Sequence, residues 1–156
     1  MAETKTLKVG DPAPDFRLKD QNKHDVRLSE LKGRKVLLSF HPLAWTPVCS
    51  EQMKSLERNF EVFAKWNTVA LGLSVDHVPC KTAWAKEVNV KSISLLADFW
   101  PHGGVAKQYG IFREAGGFSE RANIIVDENQ KIAFIKIYEI PQLPDIEEII
   151  DFLKKK

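Results

Sequence analysis

Two short apolar runs on either side of a segment with helical periodicity constrain the fold of this chain more than any other feature. The first run covers residues 35–40 (KVLLSF) and the second covers residues 68–75 (TVALGLSV), each long enough for one buried strand. The segment between them predicts an amphipathic helix that begins at Cys49 and ends near Trp66. Its apolar face consists of Met53, Leu56, Phe60 and Phe63. Strand, helix and strand in this order predict a βαβ unit with parallel pairing.

The rest of the sequence continues this alternation after a proline-rich opening that we predict to be irregular. A helix is predicted over residues 79–88, where proline stands at the entry and Trp84 and Val88 share one face. The later elements are a strand over 92–96, a short helix over 105–109, strands over 122–127 and 131–138 joined by a polar turn, and a helix over 144–153. The order predicts an α/β fold with a mixed central sheet flanked by helices, in a single domain over residues 1–156.

Composition argues against several classes of protein. Apolar residues make up 44% and charged residues 28% of the chain, and no apolar run reaches the about 18 residues that span a bilayer, so we expect no membrane association. A net charge of +2 is too small to indicate a nucleic-acid surface, and the basic run over residues 154–156 is a terminal tail. Residues 1–8 are polar and lack the apolar stretch of a secretory signal, so we expect a cytoplasmic protein.

The loop after the first strand carries the residues with the most informative chemistry, PLAWTPVC over residues 42–49. Cys49 stands at the head of the predicted helix, where free backbone amides and the positive end of the helix dipole stabilise a thiolate over a thiol. Thr46 supplies a hydroxyl that both donates and accepts hydrogen bonds, and Pro42 removes a backbone donor and stiffens the loop. The pattern predicts a nucleophilic cysteine; the alternatives are a buried structural cysteine and a threonine that only caps the helix.

This loop resembles the PxxxTxxC active-site signature of the peroxiredoxins, and the resemblance extends over most of the chain. It includes VGDPAPDF over residues 9–16, SVD over 74–76, AW over 83–84, DFWPHG over 98–103 and YG over 109–110. DFWPHG and the TPVC form of the loop are typical of the alkyl hydroperoxide reductase E-like, one-cysteine branch. The resemblance implies a thioredoxin-like fold and a thiol-dependent peroxidase. Such an enzyme reduces hydrogen peroxide and organic hydroperoxides through a cysteine sulfenic acid, in antioxidant defence and redox homeostasis.

The resemblance also implies roles for individual residues. Cys49 is the expected peroxidatic cysteine, and Thr46 and Arg121 are expected to bind the two peroxide oxygens, in the loop that Pro42 stiffens. Arg121 precedes the apolar run over residues 122–127, in the place where the family uses an arginine. Its guanidinium stays protonated and offers donors in a fixed geometry, which suits a thiolate and a peroxide. The alternative is a surface arginine paired with a neighbouring carboxylate, Glu120 or Asp127.

The partners implied by the resemblance are a hydroperoxide substrate, a thiol reductant and a second copy of the chain. The reductant would be a thioredoxin-like protein or a low-molecular-weight thiol, and the assembly a homodimer or a set of dimers. We expect no cofactor and no metal, because His41, His77, Cys49 and Cys80 form none of the close ligand pairs usual in metal sites. A thiol-disulfide oxidoreductase would carry a CxxC motif, whereas Cys49 is followed by Ser50, Glu51 and Gln52, with no second cysteine. A holdase or redox-signalling role stays open as a second activity.

Cys80 stands at the predicted head of the next helix, and two interpretations of it stay open. It is either a resolving residue that attacks the Cys49 sulfenic acid as a thiolate favoured by its helix-head position, or a small apolar core residue. A disulfide requires Cα atoms within about 7 Å, closer than neighbouring helix heads usually lie, so resolution would require local unwinding. The aromatic residues Trp84, Phe99 and Trp100 are interpreted as core or subunit-contact residues, with a substrate entrance as the alternative.

Overall fold

The computed structural model describes residues 6–155, so parts of the polar start over residues 1–8 and of the basic tail over 154–156 lie outside the described residues. The strands are β1 (Arg17–Lys19), β2 (Asp25–Arg27), β3 (Lys35–Phe40), β4 (Thr68–Ser74), β5 (Ser94–Ala97), β6 (Phe112–Arg113), β7 (Phe118–Ser119), β8 (Arg121–Val126) and β9 (Ile132–Tyr138). The helices are α1 (Pro47–Arg58), α2 (Phe60–Lys65), α3 (Val78–Glu87), α4 (Gly104–Gln108) and α5 (Ile146–Lys154), with a 3₁₀ helix over Leu28–Leu31. In this described part of the chain, no helix is long and apolar enough to cross a membrane.

A five-stranded mixed sheet in the order β5-β4-β3-β8-β9 forms the centre of the fold. β3, β4 and β5 run parallel, whereas β8 is antiparallel to both β3 and β9. Side chains alternate between the faces: in β3, Leu37 belongs to one core cluster and Leu38 to the other. α1, α2, α3 and α5 cover the Leu37 face, and the N-terminal segments and α4 cover the Leu38 face. The predicted α/β fold with a mixed sheet flanked by helices is confirmed.

Sheet topology brings the heads of two helices and the start of one strand to the same edge. β3 and β4 are parallel, so α1 and α3, which follow them, both begin at the carboxyl edge of the sheet. β8 is antiparallel to β3, and its Ala122 pairs with Phe40, the last residue of β3. Arg121, one residue earlier in β8, therefore lies at the edge where α1 begins.

A glycine allows the first helix to pack closely on the sheet. A Cβ atom at Gly72 of β4 would overlap the sulfur of Met53 in α1 and would also press on Leu95 of β5. Met53 is 0% exposed, and it follows Cys49 by one helical turn on the buried face of α1. The missing side chain at position 72 thus sets how deeply the helix that carries Cys49 sits against the sheet.

The predicted single helix from Cys49 to Trp66 is wrong in two respects. The helix begins earlier, at Pro47, because proline suits the first helical position, where its missing N–H is not needed. It also ends at Arg58, and a separate short helix follows. At the break, Asn59 leaves helical geometry (φ −105°, ψ 14°) and its side-chain amide donates to the carbonyl of Ser55 (2.8 Å). Asparagine competes in this way with the helical hydrogen bonds of the backbone.

The proline-rich opening also differs from its prediction, because it contains the β1–β2 hairpin and the 3₁₀ helix. Strands of three residues are too short to show a period-two pattern, so the sequence gives no signal for this hairpin. Element ends shift by up to two residues: the helix predicted over 79–88 is Val78–Glu87, and the strand predicted over 92–96 is Ser94–Ala97. The final helix begins after Asp145, whose carboxylate accepts from the amide of Glu147 (3.0 Å), not at residue 144.

Candidate active site

Cys49 lies in the first turn of α1. Thr46 is the N-cap residue, and the first hydrogen bond of the turn runs from the amide of Ser50 to the carbonyl of Thr46 (2.9 Å). The amides of Val48 and Cys49 therefore belong to the part of a helix that lacks intrahelical acceptors. The side chain of Cys49 is 0% exposed, so a negative charge on its sulfur needs stabilisation from protein groups.

Arg121 supplies that stabilisation in direct contact with Cys49. One guanidinium nitrogen, Nη1, donates to the sulfur of Cys49 (3.3 Å) and to Oε1 of Gln52 (2.7 Å). A second nitrogen, Nε, donates to the carbonyl of Ile140 (2.8 Å). Arg121 is 2% exposed, and its guanidinium is fixed on two sides. The structure thus brings together two of the site residues predicted from the sequence, a buried thiol and a buried guanidinium.

The alternative interpretation of Arg121 as a surface ion-pair residue is wrong. Burial removes Arg121 from solvent, and Glu120 instead faces the guanidinium of Arg113 (3.4 Å). Arg121 is the first residue of β8, all of whose residues are buried, whereas the side chain of Glu120 is partly exposed.

Gln52 is a site residue that the sequence analysis did not identify. Its Nε2 donates to Oγ of Ser39 (2.7 Å) and to the carbonyl of Phe40 (3.1 Å), and Ser39 in turn donates to Oδ1 of Asn123 (2.8 Å). These buried bonds orient the amide so that its oxygen faces Arg121. The sequence does carry one signal for Gln52, which is its position: a residue three places after Cys49 shares the buried face of the helix, and a buried polar side chain needs hydrogen-bond partners.

Thr46 and Pro42 lie in the loop that leads into α1. The hydroxyl of Thr46 donates to the carbonyl of Leu43 (2.9 Å), and its side chain makes no capping bond to the helix. The interpretation of Thr46 as a side-chain helix cap is therefore wrong, although its backbone occupies the N-cap position. Pro42 is buried just after the end of β3. Neither position contradicts the predicted roles, which stay predictions.

Cys80 lies at the head of α3, but its surroundings oppose a thiolate. The ring nitrogen Nδ1 of His77 caps the helix by accepting from the amide of Cys80 (3.1 Å). The thiol of Cys80 donates to Oδ1 of Asp76 (3.7 Å). Burial, followed by the negative charge of Asp76, raises the pKa of the Cys80 thiol. Burial, the larger cause, and the neighbouring carboxylate both oppose the thiolate that the helix-head position was expected to favour, and the resolving role of Cys80 stays a prediction.

The two histidines considered as metal ligands have other partners. Nε2 of His41 lies 2.8 Å from Nζ of Lys81, and His77 is the cap of α3. Burial first, and then the charges of Lys81 and Arg121, hold the pKa of His41 well below its usual value, so its ring is neutral. Across residues 6–155, no group of three His, Cys, Asp or Glu side chains is arranged to hold a metal ion.

The aromatic residues divide into core and surface positions. Trp84 is fully buried, and its indole nitrogen donates to the hydroxyl of Ser50, next to Cys49 (3.1 Å). Phe99 and Trp100 are 47% and 80% exposed. Leu43 and Trp45 of the active-site loop are also exposed large apolar side chains, and Leu43 and Phe99 line one shallow groove. We refer to Leu43, Trp45, Phe99 and Trp100 together as the apolar patch.

The sequence and the structure of this chain are both similar to those of known proteins. Residues 9–135 match the model of the AhpC/TSA family. An alkyl hydroperoxide reductase E of Mycobacterium bovis is 38% identical over 140 residues, which is 89% of this chain and 91% of that protein. A peroxiredoxin of Thermoplasma volcanium is 31% identical over 151 residues, covering 94% of this chain and 73% of the relative. A solved structure of reduced 2-Cys peroxiredoxin from Plasmodium vivax superposes with a TM-score of 0.86 at 26% identity, over 95% of this chain and 81% of that one.

Proposed function

The chain belongs to the AhpC/TSA family and is a thiol-dependent peroxidase with antioxidant function, and from that premise we propose that Cys49 is its peroxidatic thiol. The observation that supports this assignment is the 3.3 Å contact between the buried guanidinium of Arg121 and the buried sulfur of Cys49. A guanidinium cannot lose its proton in a protein, so it favours the thiolate form of a contacting cysteine at every working pH.

The reaction converts one thiolate and one hydroperoxide into a sulfenic acid and an alcohol. The thiolate of Cys49 attacks the terminal peroxide oxygen, the sulfur–oxygen bond forms, and the oxygen–oxygen bond breaks. The sulfur loses two electrons and becomes a sulfenic acid, while the departing alkoxide takes up a proton from water and leaves as an alcohol; with hydrogen peroxide the departing group is hydroxide and leaves as water. Arg121 is placed to stabilise the negative charge as it moves from sulfur to the departing oxygen.

Thr46 and Pro42 complete the site in this proposal. Because the hydroxyl proton of Thr46 is directed to Leu43, its lone pairs are the part of the group that a substrate meets. Thr46 therefore accepts a hydrogen bond from the O–H of the hydroperoxide and orients its terminal oxygen toward Cys49. Pro42 has no N–H and a fixed φ, so it limits the number of loop conformations and the backbone donors that would hold competing water.

An external thiol restores Cys49 in this proposal. It attacks the sulfenic sulfur, releases water and forms a mixed disulfide, and a second thiol then liberates Cys49. Cys80 is a poor attacking group, because burial and Asp76 raise its pKa and the thiol donates to that carboxylate. A thioredoxin-like protein or a low-molecular-weight thiol supplies the electrons.

Intact mass spectrometry after one equivalent of peroxide tests this division of roles. We expect the wild-type chain to gain one oxygen, located at Cys49, because Cys80 does not condense with the sulfenic acid. The Cys80→Ser variant is the matched control and is expected to gain the same oxygen at the same rate. A loss of two hydrogens in wild type, absent from the control, would identify an internal disulfide and assign Cys80 as the resolving residue.

We further propose that the chain forms a homodimer through the apolar patch. Leu43 and Trp45 of the active-site loop and Phe99 and Trp100 after β5 are large apolar side chains exposed to solvent, and Leu43 and Phe99 line one groove. Exposed apolar surface of this kind is typical of an interface. Sedimentation is expected to give twice the chain mass of 17.8 kDa, and the double variant Trp45→Glu/Trp100→Glu is expected to give the monomer. A monomeric wild type would exclude the assembly.

We also propose a cytoplasmic location, because two free thiols and a thiol reductant suit a reducing compartment, and cell fractionation tests it.

A further inference from the structure

Lys81 has its ammonium group inside the protein, which is rare for lysine. The side chain projects inward from α3 and is 0% exposed. Among the lysine and arginine residues of the described chain, Lys81 and Arg121 are the two that are buried. The reaction described above uses Arg121 and leaves Lys81 without a role. A buried charge is unfavourable unless other groups compensate it, so the groups around Lys81 indicate what the charge does.

His41 holds the ammonium group in place. Nζ of Lys81 lies 2.8 Å from Nε2 of His41 and 5.3 Å from the centre of the Trp84 ring. Because an ammonium group only donates, Nε2 is the accepting nitrogen, and the ring proton lies on Nδ1, which faces the carbonyl of Ser39 at 3.4 Å. His41 thus positions the charge without neutralising it.

The negative groups around Lys81 come from several elements and act at a distance. Among the described residues no carboxylate forms an ion pair with Lys81. The groups that favour its charge are Asp76 after β4, Cys49 in α1, Cys80 in α3 and Asp98 after β5, and Asp76 has the largest effect. Burial lowers the pKa of Lys81 to about 8, and these groups oppose the decrease. Lys81 therefore keeps its proton at neutral pH while Asp76, Asp98 and the thiolate of Cys49 are charged. The thiol of Cys80 is neutral there, because burial and Asp76 raise its pKa.

We propose that Lys81 is a positioning residue of the peroxidase site, a second buried positive charge that, with Arg121, favours the thiolate of Cys49. The inference rests on the proposed role of Cys49. Electrostatic coupling is reciprocal: a thiolate that favours the protonated form of Lys81 is favoured by the ammonium group to the same degree. Trp84 places the two groups near each other: its ring centre lies 5.3 Å from Nζ of Lys81, and its indole donates to the hydroxyl of Ser50, the residue after Cys49.

The coupling has a consequence during turnover. When peroxide converts the thiolate of Cys49 into a neutral sulfenic acid, Lys81 loses one of the negative groups that hold its proton. Its affinity for the proton falls, and it recovers when the reductant restores the thiolate. The protonation of Lys81 therefore follows the oxidation state of Cys49.

The first test measures the thiolate of Cys49 directly, through the pH dependence of its alkylation by iodoacetamide. A Cys80→Ser background leaves Cys49 as the only cysteine in the chain. Lys81→Met removes the charge and keeps an unbranched side chain, and Lys86→Met, at an exposed position of the same helix, is the matched control. We expect Lys81→Met to shift the alkylation profile to higher pH by about one unit, and to slow peroxide reduction at neutral pH by the same factor as the thiolate fraction falls. Lys86→Met is expected to change neither.

The shape of the profile separates an electrostatic role from a structural one. At high pH, where Cys49 is ionised in every variant, the rate of Lys81→Met is expected to return toward that of wild type. A purely structural role would lower the rate at all pH values and leave the alkylation profile in place, so an unshifted profile overturns the proposal. Alkylation does not depend on peroxidase turnover, so an unshifted profile argues only against the role of Lys81. The proposed role of Cys49 is tested separately: it would be contradicted if a Cys49→Ser variant still reduced peroxide.

A second measurement does not depend on whether Lys81→Met folds. Nitrogen NMR of the lysine side chains reports the pKa of Lys81 in reduced wild type and in Cys49→Ser. We expect a lower pKa in Cys49→Ser, because a neutral hydroxyl replaces the thiolate that favours the ammonium form. Equal pKa values in the two proteins overturn the proposal.

Discussion

Replacing Cys49 with serine is expected to abolish peroxide reduction and leave the fold intact. Serine has nearly the same shape, so the packing at this buried position is kept, and the hydroxyl still accepts a hydrogen bond from Arg121. It does not ionise near neutral pH, so even two buried cations nearby cannot make it a nucleophile. Loss of the nucleophile costs other enzymes roughly 10³-fold or more in rate. The measurement is peroxide consumption with an added thiol reductant, with circular dichroism as the check on folding.

The matched control for this variant is Cys80→Ser, which makes the same change at the other cysteine of the chain. It is expected to keep the turnover of wild type when an external thiol is present, because Cys80 is a neutral thiol bound to Asp76. Turnover by Cys49→Ser above a few per cent of wild type would show that the reactive group lies elsewhere.

Arg121→Lys is expected to slow peroxide reduction by about 10²-fold, although the substitution keeps the positive charge. Arg121 donates in different directions to Cys49, Gln52 and the carbonyl of Ile140, at 3.3, 2.7 and 2.8 Å. Lysine is a flexible point charge with one nitrogen and cannot make all three bonds from one position. Loss of one fixed donor at a developing negative charge costs about 10²- to 10³-fold in comparable sites. The measurement is the second-order rate constant with hydrogen peroxide.

Arg113→Lys is the control for the chemical change itself. Arg113 is an exposed arginine on β6 that faces Glu120, so its replacement by lysine is expected to leave the rate unchanged. We therefore expect peroxide reduction to be much slower in Arg121→Lys than in Arg113→Lys. Equal rates for Arg121→Lys and Arg113→Lys would remove the fixed guanidinium from the mechanism.

The central strands could be predicted from the sequence because both of their faces are buried. β3 has the predicted limits, Lys35–Phe40, β4 deviates by one residue at one end, and β8 is displaced by one residue at both ends. Covered on both sides, such strands appear as nearly continuous apolar runs, which polar turns delimit clearly. The break at Asn59 was not predictable in the same way, because the apolar spacing of Phe60 and Phe63 continues the helical pattern across it.

The reactive part of the site was predictable, and its supporting part was not. Cys49 was predicted from its position at a helix head and Arg121 from the resemblance to a family, and the structure brings them into contact. Gln52 and Lys81 belong to residue types that are usually exposed. For Gln52 the one sequence signal for burial is its position three residues after Cys49, and for Lys81 the sequence gives none. Their burial depends on which way α1 and α3 face when they pack on the sheet, a property of the assembled fold.

The pairing of β3 with β8 also determines when the site forms during folding. Cys49 and Arg121 are separated by 72 residues, and they meet only after β8 has joined the sheet beside β3. Pairings between distant segments form late, because closing the long loop between them is entropically unfavourable. A nascent or partly folded chain therefore carries Cys49 without its guanidinium partner. We therefore expect the thiol to react with peroxide less readily before β8 has paired with β3 than in the native chain.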